Sequence, residues 1–231
     1  MKRALRIILG LVGGVAILLG GTWLLARGLS DREQLYQGKP SDYWAGQLNS
    51  SDAAVSNRAN AVLNSEIIPH LTSVMMQDTT DSGRKLRLIT ALEQLPGVTI
   101  NSTKADGRRE AATIEMGLFG PPARAAVPAL LQVLKGNDDV VRGRAATALG
   151  RIHADPEIVI PALLACLTDS ENDPRAEAAE ALGNYGDKAK AAVPHLLGYL
   201  GNTKNDKALW AAVPNALKSI DHAAAAKAGV K

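Results

Sequence analysis

The residue types that carry most enzymatic chemistry are few in this sequence and widely spread. Its four histidines are His70, His153, His195 and His222. No two stand in the His-x-x-x-His spacing that puts both imidazoles on one helical face for a metal ion. Cys166 is the single cysteine, so neither an intramolecular disulfide nor a paired-cysteine metal site can form. It lies in the apolar run Pro161-Ala-Leu-Leu-Ala-Cys-Leu167 and reads as a small core residue. The soluble part has no Gly-x-Ser-x-Gly elbow, phosphate loop or dinucleotide fingerprint. These observations predict no catalytic residue, no cofactor and no metal ligand, and a chain that is not an enzyme.

What remains is the chemistry of recognition. Asp106, Asp139 and Asn172 recur at one constant step, and Arg109, Arg142 and Arg175 follow them in the same register. The first series, with Asp173 beside it, can cap helices by accepting backbone N–H bonds. The arginines form a row along successive helices, able to clasp carboxylates of a neighbouring hairpin or of an acidic partner. With a short insertion allowed, Trp210 takes the next position of that row. There it is either an aromatic anchor for a partner or a lid on the end of the core. Tyr36, Tyr43 and Trp44 are a dense aromatic cluster in a chain that is 3% aromatic, either a docking patch or a cap on the other end. Arg109, Arg142, Arg175, Trp210, Tyr43 and Trp44 are therefore the candidate partner-binding residues. Glu177 and Glu180 read as a solvated face, and His195 as a surface substitution.

These residues are positioned by a repeat. Ala126-Val-Pro128-Ala-Leu-Leu131 returns as Val159-Ile-Pro161-Ala-Leu-Leu164 and as Ala192-Val-Pro194-His-Leu-Leu197, with the prolines evenly spaced. A second block, Ala145-Ala-Thr-Ala-Leu-Gly150, keeps the same step as Ala178-Ala-Glu-Ala-Leu-Gly183. Two apolar runs per 33-residue period predict stacked antiparallel helical hairpins. Each first helix carries its proline early, where a missing N–H costs least. Leu130, Leu131 and Leu134 and their repeats lie on one apolar face. Gly117, Gly150 and Gly183 either end their helices in a left-handed cap or let a neighbouring helix come close.

Before the regular region, helical patterns cover 41–48, where Ser41 or Asp42 can cap, and then 52–64, 67–77 and 82–95. Residues 97–106 form a polar loop that breaks the period. At the other end, Pro214 should kink the last long helix, and His222–Lys231 should fray.

The series Pro128/Pro161/Pro194, followed by Asp139-Val-Val-Arg142-Gly-Arg-Ala-Ala-Thr-Ala-Leu-Gly150 and Arg175-Ala-Glu-Ala-Ala-Glu-Ala-Leu-Gly183, resembles HEAT repeats. The likeness is strongest to the bacterial HEAT-like type named after phycobilisome lyases, and it is clearest over 106–200. It implies an all-α, right-handed α-solenoid with protein-binding surfaces, in which the Asp–Arg ladder ties neighbouring repeats together. Lyase chemistry is a minority activity in that group, and no residue here can be assigned to it.

At the N-terminus, Ile7–Ala26 is 20 residues without a charge, long enough as a helix to cross a hydrocarbon core of roughly 30 Å. Lys2, Arg3 and Arg6 precede it, which orients the rest of the chain away from the cytoplasm. The expected organisation is a signal anchor at 1–27, with a cleaved signal peptide as the alternative, a linker at 28–40, a solenoid at 41–222 and a tail at 223–231. Gly10-x-x-x-Gly14 and Ala16-x-x-x-Gly20 offer a small-residue face through which two membrane helices could pair as a homodimer. The pI near 9.0 does not signal nucleic acid. Without Lys2, Arg3, Arg6 and Arg27, the 26 basic residues fall to 22 against 23 acidic ones, and no dense basic run remains. The expected function is a scaffold, held at a bacterial inner membrane with its array on the extracytoplasmic side, that docks a protein partner without catalysis. Its rivals are a lyase-like, chromophore-handling enzyme and a self-associating envelope component.

Overall fold

The computed structural model describes residues 33–77, 83–94, 104–200 and 207–230. The expected membrane span at 7–26 and its dimerisation face lie outside these residues. Among the described residues no helix is long and apolar enough to cross a membrane. The described structure is all-helical apart from one isolated bridge between Tyr36 and Lys39. The chain divides into two compact units. The described part of the first is mainly one helix, Gly83–Glu93, in which Ile89 and Leu92 are buried. The second, residues 34–78 and 106–231, holds the others.

In chain order the α-helices are α1 (Ser41–Gln47), α2 (Ala53–Val62), α3 (Ile68–Gln77), α4 (Gly83–Glu93), α5 (Ala105–Leu118), α6 (Val127–Val133), α7 (Asp139–Ile152), α8 (Pro156–Cys166), α9 (Asn172–Tyr185), α10 (Val193–Leu200), α11 (Lys207–Ile220) and α12 (His222–Lys227). In the second unit, α6 packs on α7, α8 on α9 and α10 on α11, while α9 lies along both α7 and α11. The repeat in the sequence thus becomes a ladder of hairpins. Leu130, Leu163 and Leu196 fill equivalent core positions with no exposure, each worth roughly 1.5–3 kcal/mol relative to an exposed side chain.

The three glycines settle on close packing. A Cβ on Gly117 would lie 2.9 Å from Ala148 Cα, one on Gly150 2.8 Å from Ala181 Cα, and one on Gly183 3.0 Å from Ala216 Cα. The helices run on past these glycines. The turns of positive φ come later, at Gly120 and Gly186.

Several local expectations need correction. The runs at 52–64 and 67–77 are one continuous helical path, because a π-helical turn at Leu63–Ile67 joins α2 to α3. A wider turn of this kind accommodates a proline, here Pro69, whose ring and missing N–H disfavour regular α-helix. Pro128 and Pro194 do sit at the second position of their helices, but Pro161 lies inside α8, which starts earlier at Pro156. Pro214 lies inside α11, as the sequence placed it. The tail at 222–227 is helical rather than frayed, because Asp221 caps it by accepting from Ala224 N at 2.9 Å and Ala225 is buried. The N-cap of α1 is Pro40, not Ser41 or Asp42.

Candidate functional site

The arginine row turns its donors onto helix starts and loops of the array itself. Arg109, on α5, donates to Asp106 Oδ1 at 2.7 Å and to Asp138 Oδ2 at 2.8 Å. Arg142, on α7, forms a two-pronged pair with Asp169, Nε and Nη2 each at 2.7 Å, and donates Nη1 to the Gly136 carbonyl at 3.0 Å. Arg175 donates to the carbonyls of Asp169 and Ser170 and to Asn172 Oδ1. The hydrogen bonds from Arg142, ahead of all other causes, hold the Asp169 carboxyl below the usual carboxylate range.

The capping series shifts accordingly. Asp138, not Asp139, caps α7, with Oδ1 accepting from Val141 N at 3.1 Å while Oδ2 takes Arg109. Asp106 Oδ1 and Asn172 Oδ1 accept from Arg109 and Arg175. The N-cap of α9 is Glu171, without a side-chain bond.

Glu177 is not merely solvated. It accepts from the Thr147 hydroxyl, and its carboxylate lies 3.6 Å from Arg144, which also pairs with Glu110 at 3.0 Å. Partial burial and the nearby Glu177 push the Glu180 carboxyl up. This network ties α5, α7 and α9 side by side.

The aromatic candidates separate. Trp44 is buried, donates Nε1 to the Tyr36 carbonyl at 2.9 Å and lies beneath the Arg58 guanidinium. It is a core residue, because its indole N–H finds a partner only inside. Tyr43 is exposed, with its ring edge against Trp44 and Lys39 Nζ 5.3 Å from its centroid. Burial, then Glu115, pushes the Tyr36 phenol up to about 12. Trp210 is 67% exposed on α11, so it does not cover the end of the core.

A cleft of about 870 Å³ lies along the edge of the array, where second helices return to first helices. The 3-10 turn Pro121–Ala126, the residues between α7 and α8, and the 3-10 turn Gly186–Ala192 supply its walls. His153 caps α7 in the left-handed region (φ 53°, ψ 34°) and stacks on the Tyr185 ring, with centroids 4.7 Å apart and planes 16° apart. Tyr185 donates its hydroxyl to the Ala154 carbonyl at 2.7 Å, and burial pushes its phenol well up. Asp155 is left-handed too (φ 48°, ψ 53°) and makes no side-chain cap; its carboxylate takes Arg124 Nη2 at 2.5 Å. Pro121, Pro156, Pro161, Ile152 and Ile160 line the apolar part, and Glu157 and Lys188 complete the charged part.

Sequence reasoning passed over this cleft and its histidine. The available signal was the register: Gly120 and Gly186 stand one repeat to either side of His153. Cys166 is buried as expected and donates weakly to the Pro174 carbonyl at 3.5 Å. Among the described residues no group of three or more His, Cys, Asp or Glu side chains could hold a metal ion.

Comparison with known proteins places the repeats. Residues 98–183 match the family of HEAT repeats, and residues 174–202 match the PBS lyase HEAT-like repeat. No curated protein matches. Among solved structures, the chain is similar to the complex of CpcE and CpcF of phycocyanin lyase from Nostoc sp. PCC7120. The identity is 20%, over 84% of this chain and 70% of that one, with a TM-score of 0.49. It is also similar to an engineered protein, at 20% identity over 82% of this chain and 85% of that one, with a TM-score of 0.41. The match of residues 174–202 to the PBS lyase HEAT-like repeat corrects the expectation that the chain is not an enzyme.

Proposed function

We propose that this protein is a HEAT-repeat protein of lyase type that handles a bilin chromophore in company with a protein partner. The observation that carries the reading is the match of residues 174–202 to the PBS lyase HEAT-like repeat. That segment contains most of α9, the 3-10 turn and α10, and it contributes Glu177, Glu180 and Lys188 to the faces described above. Hairpins stacked with backbone-to-backbone contacts at Gly117, Gly150 and Gly183 make a stiff frame. Such a frame keeps the groups it displays at fixed spacings, which is what positioning a chromophore against an acceptor protein requires. The test is spectroscopic: the purified full chain is titrated with free bilin. A saturable shift or intensification of the visible band is expected. An absorbance spectrum identical to bilin in buffer overturns the reading.

We further propose that residues 7–26 hold the protein in a bacterial inner membrane with the array on the extracytoplasmic side. Support comes from 20 uncharged residues preceded by Lys2, Arg3 and Arg6. Protease added to intact spheroplasts should then digest the array while the chain stays with membranes after carbonate washing. Release by carbonate sinks the anchor, and protection from protease sinks the orientation.

A further inference from the structure

The chain enters the array through a short hook. Tyr36 N donates to the Lys39 carbonyl at 2.8 Å, and Lys39 N to the Tyr36 carbonyl at 3.1 Å. Between them Gln37 (φ 49°) and Gly38 (φ 75°) both take positive φ, as a two-residue hairpin turn requires. Gln37 fastens the tip. Its Nε2 donates to Glu66 Oε1 on the π-helical turn at 2.9 Å, and its Oε1 accepts from Arg58 Nη2 on α2 at 3.2 Å. Tyr36 is buried, and its carbonyl also accepts from the Trp44 indole. The packed array therefore begins at Tyr36 itself.

Two large apolar side chains on this hook are nevertheless left outside. Leu35 is 50% exposed beside buried Tyr36, and Tyr43 is 43% exposed beside buried Trp44. Lys39 Nζ lies 5.3 Å from the Tyr43 ring. Gly46, one turn on from Tyr43, is exposed, and a Cβ there would meet nothing within 4 Å, so the array leaves this side of α1 open. A leucine, a tyrosine and a lysine suit the boundary between hydrocarbon and headgroups. The apolar parts bury, while the phenol and the ammonium reach polar groups and water. The charges on the hook and α1 are Glu33, Lys39 and Asp42. They make no cationic patch, so the contact would rest on burial of Leu35 and Tyr43 rather than on lipid charge.

Chain length decides what this surface can meet. Leu35 stands nine residues after Ala26, the last of the uncharged run. At ~3.3–3.6 Å per residue the connection reaches at most about 30 Å, of which the headgroup layer occupies about 5–8 Å. A tether this short keeps the bilayer at a high effective concentration beside the hook. A contact of two side chains, too weak to recruit a free protein, is then populated.

We propose that the hook is the array's own contact with the bilayer, Leu35 and Tyr43 entering the headgroup boundary of the membrane that holds residues 7–26. The inference rests on the membrane reading above, and the test separates the two. Cys166→Ala gives a full chain without cysteine. Single cysteines are then placed at Ile17→Cys in the uncharged run, Gly46→Cys beside Tyr43 and Trp210→Cys on α11, and labelled with bimane. Each protein is reconstituted in vesicles of equal parts phosphatidylethanolamine and phosphatidylglycerol. Nitroxides on acyl chains or headgroups quench from the lipid, and iodide quenches from water. The label at position 17 should be quenched by acyl-chain nitroxide. Headgroup nitroxide should quench the label at 46 about threefold more than the one at 210, and added salt should not reverse this. Leu35→Asp with Tyr43→Asp should bring quenching at 46 down to that at 210 with unchanged circular dichroism, since both side chains are exposed.

An unquenched label at 17 overturns the anchor and the contact with it. Quenching at 17, with the label at 46 quenched no more than that at 210, overturns the contact alone. So does shielding of the label at 46 from iodide and lipid alike, which would give the face to another protein surface. Undiminished quenching at 46 in the double aspartate variant also overturns it.

Discussion

Replacing Gly150 with alanine sets two effects of opposite sign against each other. In a helix interior, alanine is favoured over glycine by about 0.5–1 kcal/mol, because glycine loses more backbone freedom on folding. The new Cβ, however, would lie 2.8 Å from both Cα and Cβ of Ala181 and 3.1 Å from Asn184 Nδ2. Carbon atoms prefer roughly 3.5–4.0 Å, so the overlap is on the order of 1 Å, and the atom in the way is backbone that cannot swing aside. Helices α7 and α9 would have to separate along their shared face, at a cost of about 1–3 kcal/mol. The packing effect wins, and Gly150→Ala should destabilise by about 1–2 kcal/mol. Gly143, on the same helix, is the internal control. Its added Cβ would meet nothing nearer than 3.6 Å, so Gly143→Ala should keep its gain and stabilise by about 0.5–1 kcal/mol. Thermal melting followed by helical circular dichroism reads both. About 2–4 °C per kcal/mol is expected for a chain of this size, so the two midpoints should move in opposite directions. If Gly150→Ala melts as high as Gly143→Ala, close backbone packing is not why glycine occupies position 150.

The Arg142–Asp169 pair should show itself as acid sensitivity. Because the folded state holds the Asp169 carboxyl below its usual value, its contribution is present above the unfolded value near ~3.9 and lost as pH falls through the lower folded one. Asp169→Asn should therefore cost about 2 kcal/mol near pH 7, and the gap to wild type should narrow below about pH 4. An equal gap in urea melts at pH 3 and pH 7 would show that charge is not the cause. For Cys166, burial first and Asp169 second push the thiol up to about 11. At pH 8 the folded protein should react with a disulfide reagent about 100-fold more slowly than the urea-unfolded chain. Its contribution to stability should hold below the ordinary thiol value and fade as pH rises towards 11. Equal reaction rates with and without urea would place the thiol outside the core.

The constant step of the repeat made the hairpin array legible from the sequence. Regular spacing of Pro128, Pro161 and Pro194 and of the core leucines is a local signal, set by which side of a helix each residue occupies. Local chemistry was equally enough to recognise Cys166 as a core residue, and the register made Arg109, Arg142 and Arg175 a row. Tertiary structure decided what each polar and aromatic residue faces. That depends on chain arriving from the neighbouring repeat: Asp138 reaching Arg109, Asp169 reaching Arg142, Glu177 reaching Thr147. It put Trp44 inside, where the Tyr36 carbonyl awaits its indole, and left Trp210 in solvent. It gave Gly117, Gly150 and Gly183 to helix contact and moved the left-handed turns to Gly120 and Gly186. The cleft at His153 shows the division most plainly. The departure from glycine is written in the sequence, but a single substitution in a repeat carries no shape. The cleft exists only where that altered turn meets the two turns beside it.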